Sequence, residues 1–340
     1  VIGATTTGAA KNRMLLTKLG CRIVVIEEAA EVLEAHLFAT LVPTVQQLVM
    51  IGDHEQLRPK PNVNELATLY RLEVSMFERL VKNGIPFSTL LLQHRMLPPL
   101  TKLIVRPHFY KDLQDADRVL AYPENIGGME KRLFFWTHEQ AEEGQRIGQT
   151  SRWNQAEINM CADLAAYLLK QRESNTDDGI GFLKTKNRIC VALTRAQHAF
   201  YLIGNLGFLR NHSNMWQDVM FSFLDHRKTD YGLPIKCQPH GTVQLVRKPE
   251  DFRRLSPEGG CQDMCNTLME CGHICDKICH PLILHRERRC NFPCTRLCPD
   301  CGKLCPKICK ENCAPCMHDA QLTLSCGHDV KIKCYQRTRA

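Results

Sequence analysis

Several features that would place this 340-residue sequence in a common class of protein are missing from it. No apolar run approaches the roughly 18 residues that a membrane-spanning helix needs, so the sequence predicts no transmembrane segment. No Gly-x-x-x-x-Gly-Lys-Ser/Thr motif is present, so these residues do not provide that loop for nucleotide phosphates. No signal peptide is recognisable, but the sequence begins at Val1 rather than Met, and we expect it to be part of a longer protein.

Cysteine is scarce in the first 260 residues and abundant afterwards. Of the 19 cysteines, 15 lie between Cys261 and Cys334. A disulfide-rich secreted tail and a zinc-binding tail are both consistent with this distribution. We favour zinc over disulfides, because the first half with its few scattered thiols is typical of a reducing compartment. Five prolines also rule out one continuous helix with a cysteine stripe, and the apolar residues are too few for a core, so metal must supply the folding free energy. The prolines are Pro281, Pro293, Pro299, Pro306 and Pro315.

The formal net charge of +8 invites a nucleic-acid interpretation, but the cysteines weaken it. Cysteines that bind zinc are thiolates, and about four zinc ions with their thiolates bring the loaded chain close to neutral. Bulk charge therefore says little about RNA binding, although the local basic patch at 286–289 can still contribute. The tail has only two aromatic residues, Phe292 and Tyr335, so stacking of bases on it has little support.

Polar residues follow three apolar runs in the first 125 residues, as expected at the carboxyl ends of strands in a parallel sheet that binds a ligand there. The first run is continuous rather than alternating, which predicts a strand buried on both faces. Helices predicted between the runs complete an α/β fold of βαβ units. The runs are Arg22 to Ile26 before Glu27 and Glu28, Leu48 to Ile51 before Gly52 and Asp53, and Phe87 to Leu92 before Gln93; the helices are Val32 to Leu41 and Ser75 to Lys82.

A second α/β unit begins near Gly127, but it has too few strands for a complete sheet, and elements are expected to be missing within Gln171 to Gly179. Residues 226–260 are rich in proline, glycine and charge, which predicts a linker. We therefore predict domains at 1–125 and 126–225, a linker at 226–260 and a zinc-binding array at 261–340. The second unit's predicted strands are Leu133 to Trp136 and Ala199 to Ile203, and its predicted helices are Asn154 to Lys170 and Asn187 to His198.

Two carboxylates at a strand end have a specific chemical use. Glu27 can hold Mg²⁺ while Glu28 takes a proton from an attacking water; the alternative is an acid-rich helix N-terminus. Gln56 can orient that water and Arg95 can offset charge developing on a γ-phosphate, the alternative being ordinary surface loop residues.

Arg188 and Arg195 are two helical turns apart and can share one helix face, as an arginine finger or as a solvated basic stripe. Together with the strand-end residues they complete a set of four motifs whose order resembles that of superfamily 1 helicases, in particular the nonsense-mediated-decay branch. The resemblance covers about residues 1–225 and implies RecA-like domains, the second incomplete. The motifs are Glu27-Glu28-Ala29-Ala30, Gly52 to Leu57, Gln93-His94-Arg95-Met96 and Val191 to Ala196, with support from Ala4 to Ala10 and Ser75 to Leu80.

The resemblance implies a role for each motif residue in an enzyme that uses ATP with Mg²⁺ and binds RNA. Glu27 and Glu28 would be the magnesium and water-activating pair, Gln56 the phosphate sensor, and Arg95 and Arg195 contacts of the γ-phosphate. Asp53, Gln93 and Arg188 are further predicted nucleotide-binding residues, and Thr6 and Thr7 would touch the RNA backbone.

The sequence departs from the helicase pattern at several positions. Glu27 replaces the usual Asp, which keeps the charge and lengthens the side chain, and Cys190 stands where the branch often has Asn. The Thr/Gln-Gly-Glu motif expected before Gly181 is absent, and the stretch at 172–175 resembles the resumption after a deletion.

The tail repeats a Cys-Gly-His-x-Cys-x-x-x-Cys pattern that resembles the NF-X type of zinc finger, and four ligands per site predict about three to five zinc ions. Lys303 replaces an expected His in the second round, and Cys237 with His240 can join Cys261 and Cys265, unless that pair is a linker coincidence. The predicted ligands are Cys237, His240, Cys261, Cys265, Cys271, His273, Cys275, Cys279, His280, Cys290, Cys294, Cys298, Cys301, Cys305, Cys309, Cys313 and Cys316, followed by a third round of Cys326, His328 and Cys334.

Both halves in this order resemble the NF-X-type zinc-finger-containing RNA helicases. We therefore predict an RNA helicase or RNA-dependent ATPase whose fingers contact RNA or protein, located in the cytoplasm, with ribonucleoprotein granules or the nucleus as alternatives. Without the phosphate loop, these 340 residues alone are expected to be inactive. The competing hypothesis is a non-enzymatic zinc-finger scaffold in transcription repression or the ubiquitin pathway.

Overall fold

The computed structural model describes residues 1–143, 153–171, 186–282, 284, 290–309, 311, 313 and 315–339. The chain divides into two compact units, one formed by 1–124, 133–138 and 177–229, the other by 125–132, 139–176 and 230–340. These units are not the consecutive segments predicted from the sequence, because β-strand pairing brings 133–138 to a later strand. Compactness does not test which segments fold independently, so the predicted domain boundaries stay a prediction.

The first unit is α/β, as predicted, with short helices between parallel strand pairs. Its strands are β1 (Ile23–Ile26), β2 (Gln47–Met50), β3 (Leu92–Gln93), β4 (Gln114–Asp115), β5 (Leu133–Thr137) and β6 (Phe200–Gly204), and β7 (Thr229–Asp230) lies at its end. Its helices are α1 (Thr6–Lys11), α2 (Arg13–Lys18), α3 (Glu34–Thr40), α4 (Asn64–Tyr70), α5 (Met76–Lys82), α6 (Pro98–Leu100), a π-helical turn (Thr101–Val105), α7 (Arg106–His108), α8 (Asp117–Leu120), α10 (Lys186–Leu193), α11 (Leu206–His212) and α12 (Asn214–Asp225), whereas α9 (Gln155–Lys170) is in the second unit.

Strands β1 and β2 pair in parallel, with Ile26 opposite Met50. On one face Ile26, Leu48 and Met50 pack with Ala29 and Leu37 of the segment that follows β1. The other face is open, since Ile23, Val25, Val49 and Ile51 are 46–60% exposed. The prediction that this strand is buried on both faces is therefore wrong for the described residues: a continuous apolar run cannot distinguish a covered face from an uncovered one.

The third predicted strand, Phe87 to Leu92, shrinks to Leu92–Gln93. This strand pairs in parallel with β4, and the described residues give no pairing with β1 or β2. The side chain of Gln93 is buried while Phe87 and Leu90 are exposed, so only the end of the apolar run is held in place. The polar residues after the strands nevertheless follow the predicted order along the chain.

The main core of the first unit surrounds β5 and β6, which pair in parallel. Phe135 and Leu202 from this pair are buried together with Leu100 from the helical stretch 98–108, Leu193 of α10 and Trp216 of α12. Helix α10 thus has a buried face that fixes its position, which matters because it carries Arg188 and leads into Arg195.

The second unit contains α9, the antiparallel pair β8 (Leu233–Lys236) and β9 (Val243–Val246), and α13 (Asp251–Leu255). The segment 226–260, which the sequence predicts as a linker, therefore contains a hairpin and a short helix. Ile235, Val246 and Phe252 are at most 4% exposed, and Phe252 lies against the ring of Tyr167 of α9. Proline and glycine in this segment serve a hairpin rather than a flexible connection.

The cysteine-rich tail has few regular elements. Two small antiparallel turns are defined by the pairs Leu268–Ile274 and Leu297–Leu304. They are followed by the hairpin of β10 (Asp319–Thr323) and β11 (Asp329–Lys333) and by a 3₁₀ helix (Cys334–Arg339). No described helix is long and apolar enough to cross a membrane. The basic patch at 286–289 and the predicted deletion point at 172–175 lie outside the described residues.

Helix α5 allows a test of local sequence control. Ser75 is fully buried, and its hydroxyl accepts a hydrogen bond from the backbone N–H of Glu78 at 3.0 Å, which satisfies a donor at the helix N-terminus. Ser75→Ala should lower the free energy of unfolding by about 1 kcal/mol. Urea unfolding followed by circular dichroism measures this change, with the exposed Ser88→Ala as control. Equal stability of the two variants would contradict the capping role.

Candidate nucleotide and metal sites

The turn after β1 holds the two predicted catalytic carboxylates. Glu27 and Glu28 are both exposed, and Glu28 has a φ of 52°, a left-handed conformation that costs energy in a residue with a side chain. The turn lies against Gly52, where a Cβ would come within 2.8 Å of the backbone nitrogen of Ala30. A glycine at this position is thus required for the turn to approach the end of β2.

Gln56 and Arg195 meet, although they are far apart in the sequence. The guanidinium Nη2 of Arg195 donates to Gln56 Oε1 at 2.8 Å, and Gln56 Nε2 donates to Asp53 Oδ2, also at 2.8 Å. Asn187, at the start of α10, donates from Nδ2 to the backbone carbonyl oxygens of His54, Glu55 and Gln56 at 2.6–3.2 Å. Helix α10 is therefore fastened to the loop after β2, with Arg195 facing Gln56.

Tyr110 is a further member of this network. Its phenol donates to Asp53 Oδ2 at 2.6 Å and lies 3.2 Å from the Cys190 sulfur. Burial and the neighbouring Asp53 raise the pKa of Tyr110 well above its usual range, so the phenol keeps its proton and remains a donor. Neither Tyr110 nor Asn187 belongs to a sequence motif, and only long-range contacts disclose their part in the site.

Glu31, which follows the turn, lies within electrostatic range of both Glu28 and Arg195. Burial raises the pKa of Glu31, the charge of Glu28 raises it further, and Arg195 opposes both. The carboxylates after β1 and the cation after α10 therefore share one region of charge. A region with paired acids, an amide and a cation can hold a divalent metal and an anion side by side.

Gln93 and Arg95 are placed differently from Gln56 and Arg195. The Gln93 side chain is buried and hydrogen-bonded within the protein. Its Nε2 donates to Asp115 Oδ1 at 2.6 Å, and its Oε1 accepts hydrogen bonds from the backbone N–H groups of Arg95 and Met96. The Arg95 side chain is exposed, and no contact described in the structure joins it to Gln56 or Arg195. Gln93 thus shapes the turn that presents Arg95.

The remaining predicted residues of this half are Arg188, Thr6 and Thr7. Arg188 is half-buried in the first turn of α10. Thr6 and Thr7 begin α1, whose N-cap Thr5 accepts a hydrogen bond from Gly8 N–H at 3.0 Å. The threonine hydroxyls are thus presented on a capped helix start, and their predicted RNA contacts stay a prediction.

The cysteines and histidines after residue 236 form five groups whose ligand atoms lie within 4.8 Å of one another. Thiol and imidazole ligands at such separations suit tetrahedral zinc. Three groups have four ligands, and two have three among the described residues. The four-ligand groups are Cys237, His240, Cys261 and Cys279; Cys271, His273, Cys290 and Cys309; and Cys298, Cys301, Cys316 and Cys334. The three-ligand groups are Cys265, Cys275 and His280, and Cys294, Cys305 and Cys313.

The first group corrects a predicted ligand set. Cys237 and His240 lie with Cys261, as predicted for a shared site, with His240 Nδ1 3.0 Å from the Cys261 sulfur. The fourth member is Cys279, whose sulfur lies 3.4 Å from that of Cys237, and not the predicted Cys265. Gly260 permits this arrangement, because a Cβ there would come within 2.6 Å of Cys279 backbone and sulfur atoms.

The four-ligand groups interleave along the chain rather than following one another. Each combines a close pair, two or three residues apart, with two later cysteines that are 18 or 19 residues apart. In the second group the close pair is Cys271 and His273, brought within 3.6 Å by a turn at Gly272, whose φ is 82°. A sequence motif groups ligands that are close in the sequence, so it cannot show that ligands of one group lie between those of another.

The predicted third round is only half assembled. Cys326 and His328 are exposed, with His328 Nδ1 3.4 Å from the Cys326 sulfur, at a turn whose Gly327 has a φ of 85°. They belong to none of the groups of three or more found among the described residues. Cys334, predicted to join them, lies instead with Cys298, Cys301 and Cys316, because β11 returns it toward those residues.

Neighbouring donors prepare several thiols to bind metal. The side chain of Arg296 donates from Nε to the Cys294 sulfur at 3.3 Å and holds the pKa of that thiol down to about 6. Backbone N–H groups from Cys301 and Asp300 lower the pKa of Cys298 to about 7. Since thiolates and not thiols ligate zinc, these groups favour metal binding at neutral pH.

Comparisons with known proteins agree with both halves. AAA-domain family models match residues 1–60 and 72–178. The NFX1-type zinc finger-containing protein 1 homolog of Caenorhabditis elegans is 38% identical over 98% of this chain, and the human NFX1-type zinc finger-containing protein 1 is likewise 38% identical over 98%. The chain belongs to this NFX1-type family of helicase-like zinc-finger proteins. The predicted family and α/β fold are thereby confirmed.

The more distant relatives match the helicase half. Helicase required for RNAi-mediated heterochromatin assembly 1 of Schizosaccharomyces pombe is 31% identical over 66% of this chain and 28% of its own length. This chain spans only 16% of the C. elegans relative and 20% of the human one. Activity, substrates and partners of a whole family member are therefore matters of proposal for this chain.

The corrected ligand set of the first group can be tested by substitution. Cys279→Ser should remove about one zinc ion per chain, because three remaining ligands hold the metal weakly, and should lower the thermal midpoint. Zinc content by native mass spectrometry and thermal unfolding measure both effects. Cys161→Ser, at an exposed cysteine of α9, is the matched control and should change neither. Retention of every zinc ion in Cys279→Ser would contradict the assignment.

Proposed function

We propose that this chain supplies the γ-phosphate-sensing side and the zinc-finger tail of an RNA-dependent ATPase of the superfamily 1 helicase type. The observation that carries the proposal is the 2.8 Å contact between Arg195 Nη2 and Gln56 Oε1. It places a cation that follows α10 beside an amide from the loop after β2. A γ-phosphate needs both kinds of group, one to offset charge and one to orient the attacking water.

The remaining residues supply the other requirements of phosphoryl transfer. Magnesium bound with ATP would neutralise charge on the phosphates. Glu27 would hold that ion, and Glu28, one residue further, would accept the proton of the water. Asp53 and the protonated Tyr110 fix the amide of Gln56, so its orientation is set before nucleotide binds.

The zinc tail is proposed to fold around zinc and to present a surface to RNA or to proteins. Support comes from its ligand groups and from the NFX1-type relatives. RNA is proposed as the main partner of the helicase half, through Thr6 and Thr7 and on the strength of relatives named as helicases. A cytoplasmic location, with granules or nucleus as alternatives, stays a prediction.

The sequence lacks the phosphate loop, so we expect no RNA-stimulated ATP hydrolysis by residues 1–340 alone. Release of inorganic phosphate, with and without single-stranded RNA, measures this. Turnover by the unchanged chain that disappears in Glu28→Gln would contradict the expectation, because it would show a complete active site in these residues.

Joining a phosphate-loop segment of the same family in front of residue 1, and the corresponding family segment within 171–179, should provide the parts expected to be absent. In such a chain Glu28→Gln and Arg195→Ala should each lower kcat by about 100-fold or more, since one removes the base and the other the cation. Arg118→Ala, at an exposed arginine of α8, is the control and should retain full activity. Unchanged kcat in Arg195→Ala would refute the proposed site.

A further inference from the structure

The group of Cys294, Cys305 and Cys313 has three ligands among the described residues, one fewer than tetrahedral zinc needs. Cys294 is hydrogen-bonded to Cys313, with the two sulfurs 3.6 Å apart, and its thiol also interacts with that of Cys309. Cys309 meanwhile belongs to the neighbouring group, where its sulfur lies 3.4 Å from His273 Nδ1. Cys309 therefore belongs to one group and is a neighbour of Cys294 in the next.

The backbone fixes this double contact. Pro293 and Ile308 are opposite each other in an antiparallel pair. Cys294 N–H donates to the carbonyl oxygen of Lys307, and Cys309 N–H donates to that of Phe292, both at 2.9 Å. Cys294 and Cys309 therefore lie on adjacent strands, one step to either side of the pair, and cannot move apart without loss of these hydrogen bonds.

An earlier stretch of the tail carries one ligand more at the corresponding place. Cys279 ligates the first group, and the next residue, His280, joins Cys265 and Cys275 in a different one. The corresponding cysteine, Cys309, is followed in the sequence by Lys310, which has no imidazole. Two adjacent ligands thus serve two groups at 279–280, whereas only one ligand stands at 309–310.

We propose that the Cys309 thiolate binds two zinc ions at once, which joins Cys271, His273 and Cys290 on one side with Cys294, Cys305 and Cys313 on the other in a single binuclear centre. The centre has six thiolates and one imidazole, and each zinc ion reaches four ligands through the shared sulfur. The inference rests on the zinc binding of the proposed function and adds the sharing of one ligand.

A cation stands where such a centre needs one. Two zinc ions with six thiolates carry a net charge of about −2. The guanidinium of Arg296 donates from Nε to the Cys294 sulfur at 3.3 Å and from Nη2 to the Cys309 carbonyl oxygen at 3.1 Å. Arg296 thus lies against both strands of the pair, offsets part of the negative charge and donates to a ligand from outside the metal shell.

Cadmium substitution tests the shared ligand directly. In residues 1–340 loaded with ¹¹³Cd, a proton–cadmium correlation spectrum should connect the β-protons of Cys309 to two cadmium resonances and those of Cys290 to one. Correlation of Cys309 with a single cadmium resonance in the fully loaded chain would overturn the proposal while leaving zinc binding intact. A chain that binds no cadmium or zinc at all would refute the zinc-binding function itself.

Substitution provides an independent measure. Cys309→Ser should lower zinc content by about two ions per chain, because both sites lose a ligand, whereas Cys290→Ser should lower it by about one. Native mass spectrometry of folded material gives the counts. Equal losses in the two variants would count against sharing. The ¹¹³Cd experiment uses the unchanged protein, so it remains decisive if either variant fails to fold.

Discussion

Metal ligation, rather than apolar burial, determines the structure of the tail. Leu268, Leu297 and Leu304 are 58–68% exposed, whereas seven of the described cysteines from residue 261 onward are buried. Exposed leucines contribute little to folding, so the free energy must come from bonds between thiolates and metal. The other features of the tail are consistent with this. Short antiparallel pairs, left-handed glycines beside ligands and prolines between them bring sulfur atoms together rather than build an apolar core.

The helicase-like half is organised by hydrophobic packing rather than by metal ligation. Like the tail, it depends on contacts between residues that are far apart in the sequence. Its core around Phe135 and Trp216 fixes α10, and α10 then brings Asn187 and Arg195 to the loop at 53–56. Hydrophobic packing therefore positions a polar network that could not hold itself together in water, since exposed ion pairs and amide contacts contribute little alone. Apolar burial thus fixes the positions of the backbone segments, and this brings their polar side chains within hydrogen-bonding distance.

Sequence patterns predicted the features that depend on local chemistry. Strand β1 and helix α9 follow from the β-branched run at 22–26 and from helical spacing, and helix α5 lies within the helix predicted over 75–82. The types and spacing of the cysteines and histidines predicted the members of the five groups, but also Cys326 and His328, which belong to none of the groups found among the described residues. Three assignments that depend on partners distant in the sequence failed: burial of both faces of β1, the length of the strand ending at Gln93, and the choice of Cys265 over Cys279. Tyr110 was not predicted as a site residue for the same reason: it belongs to no motif, and its partner Asp53 is 57 positions away in the sequence.

Interleaved ligation has a consequence for how the tail can fold. The short turn around Cys271 and His273 belongs to one group, while Cys275 and Cys279, a few residues later, belong to two others. No single turn can therefore complete its own metal site, and each metal ion closes a loop that contains ligands of a neighbour. Loops of 18 or 19 residues closed in this overlapping way reduce one another's entropy cost, because closing one shortens the next. The metal sites of the tail should therefore form together. The high density of cysteines in the sequence reflects this coupled closure of overlapping loops.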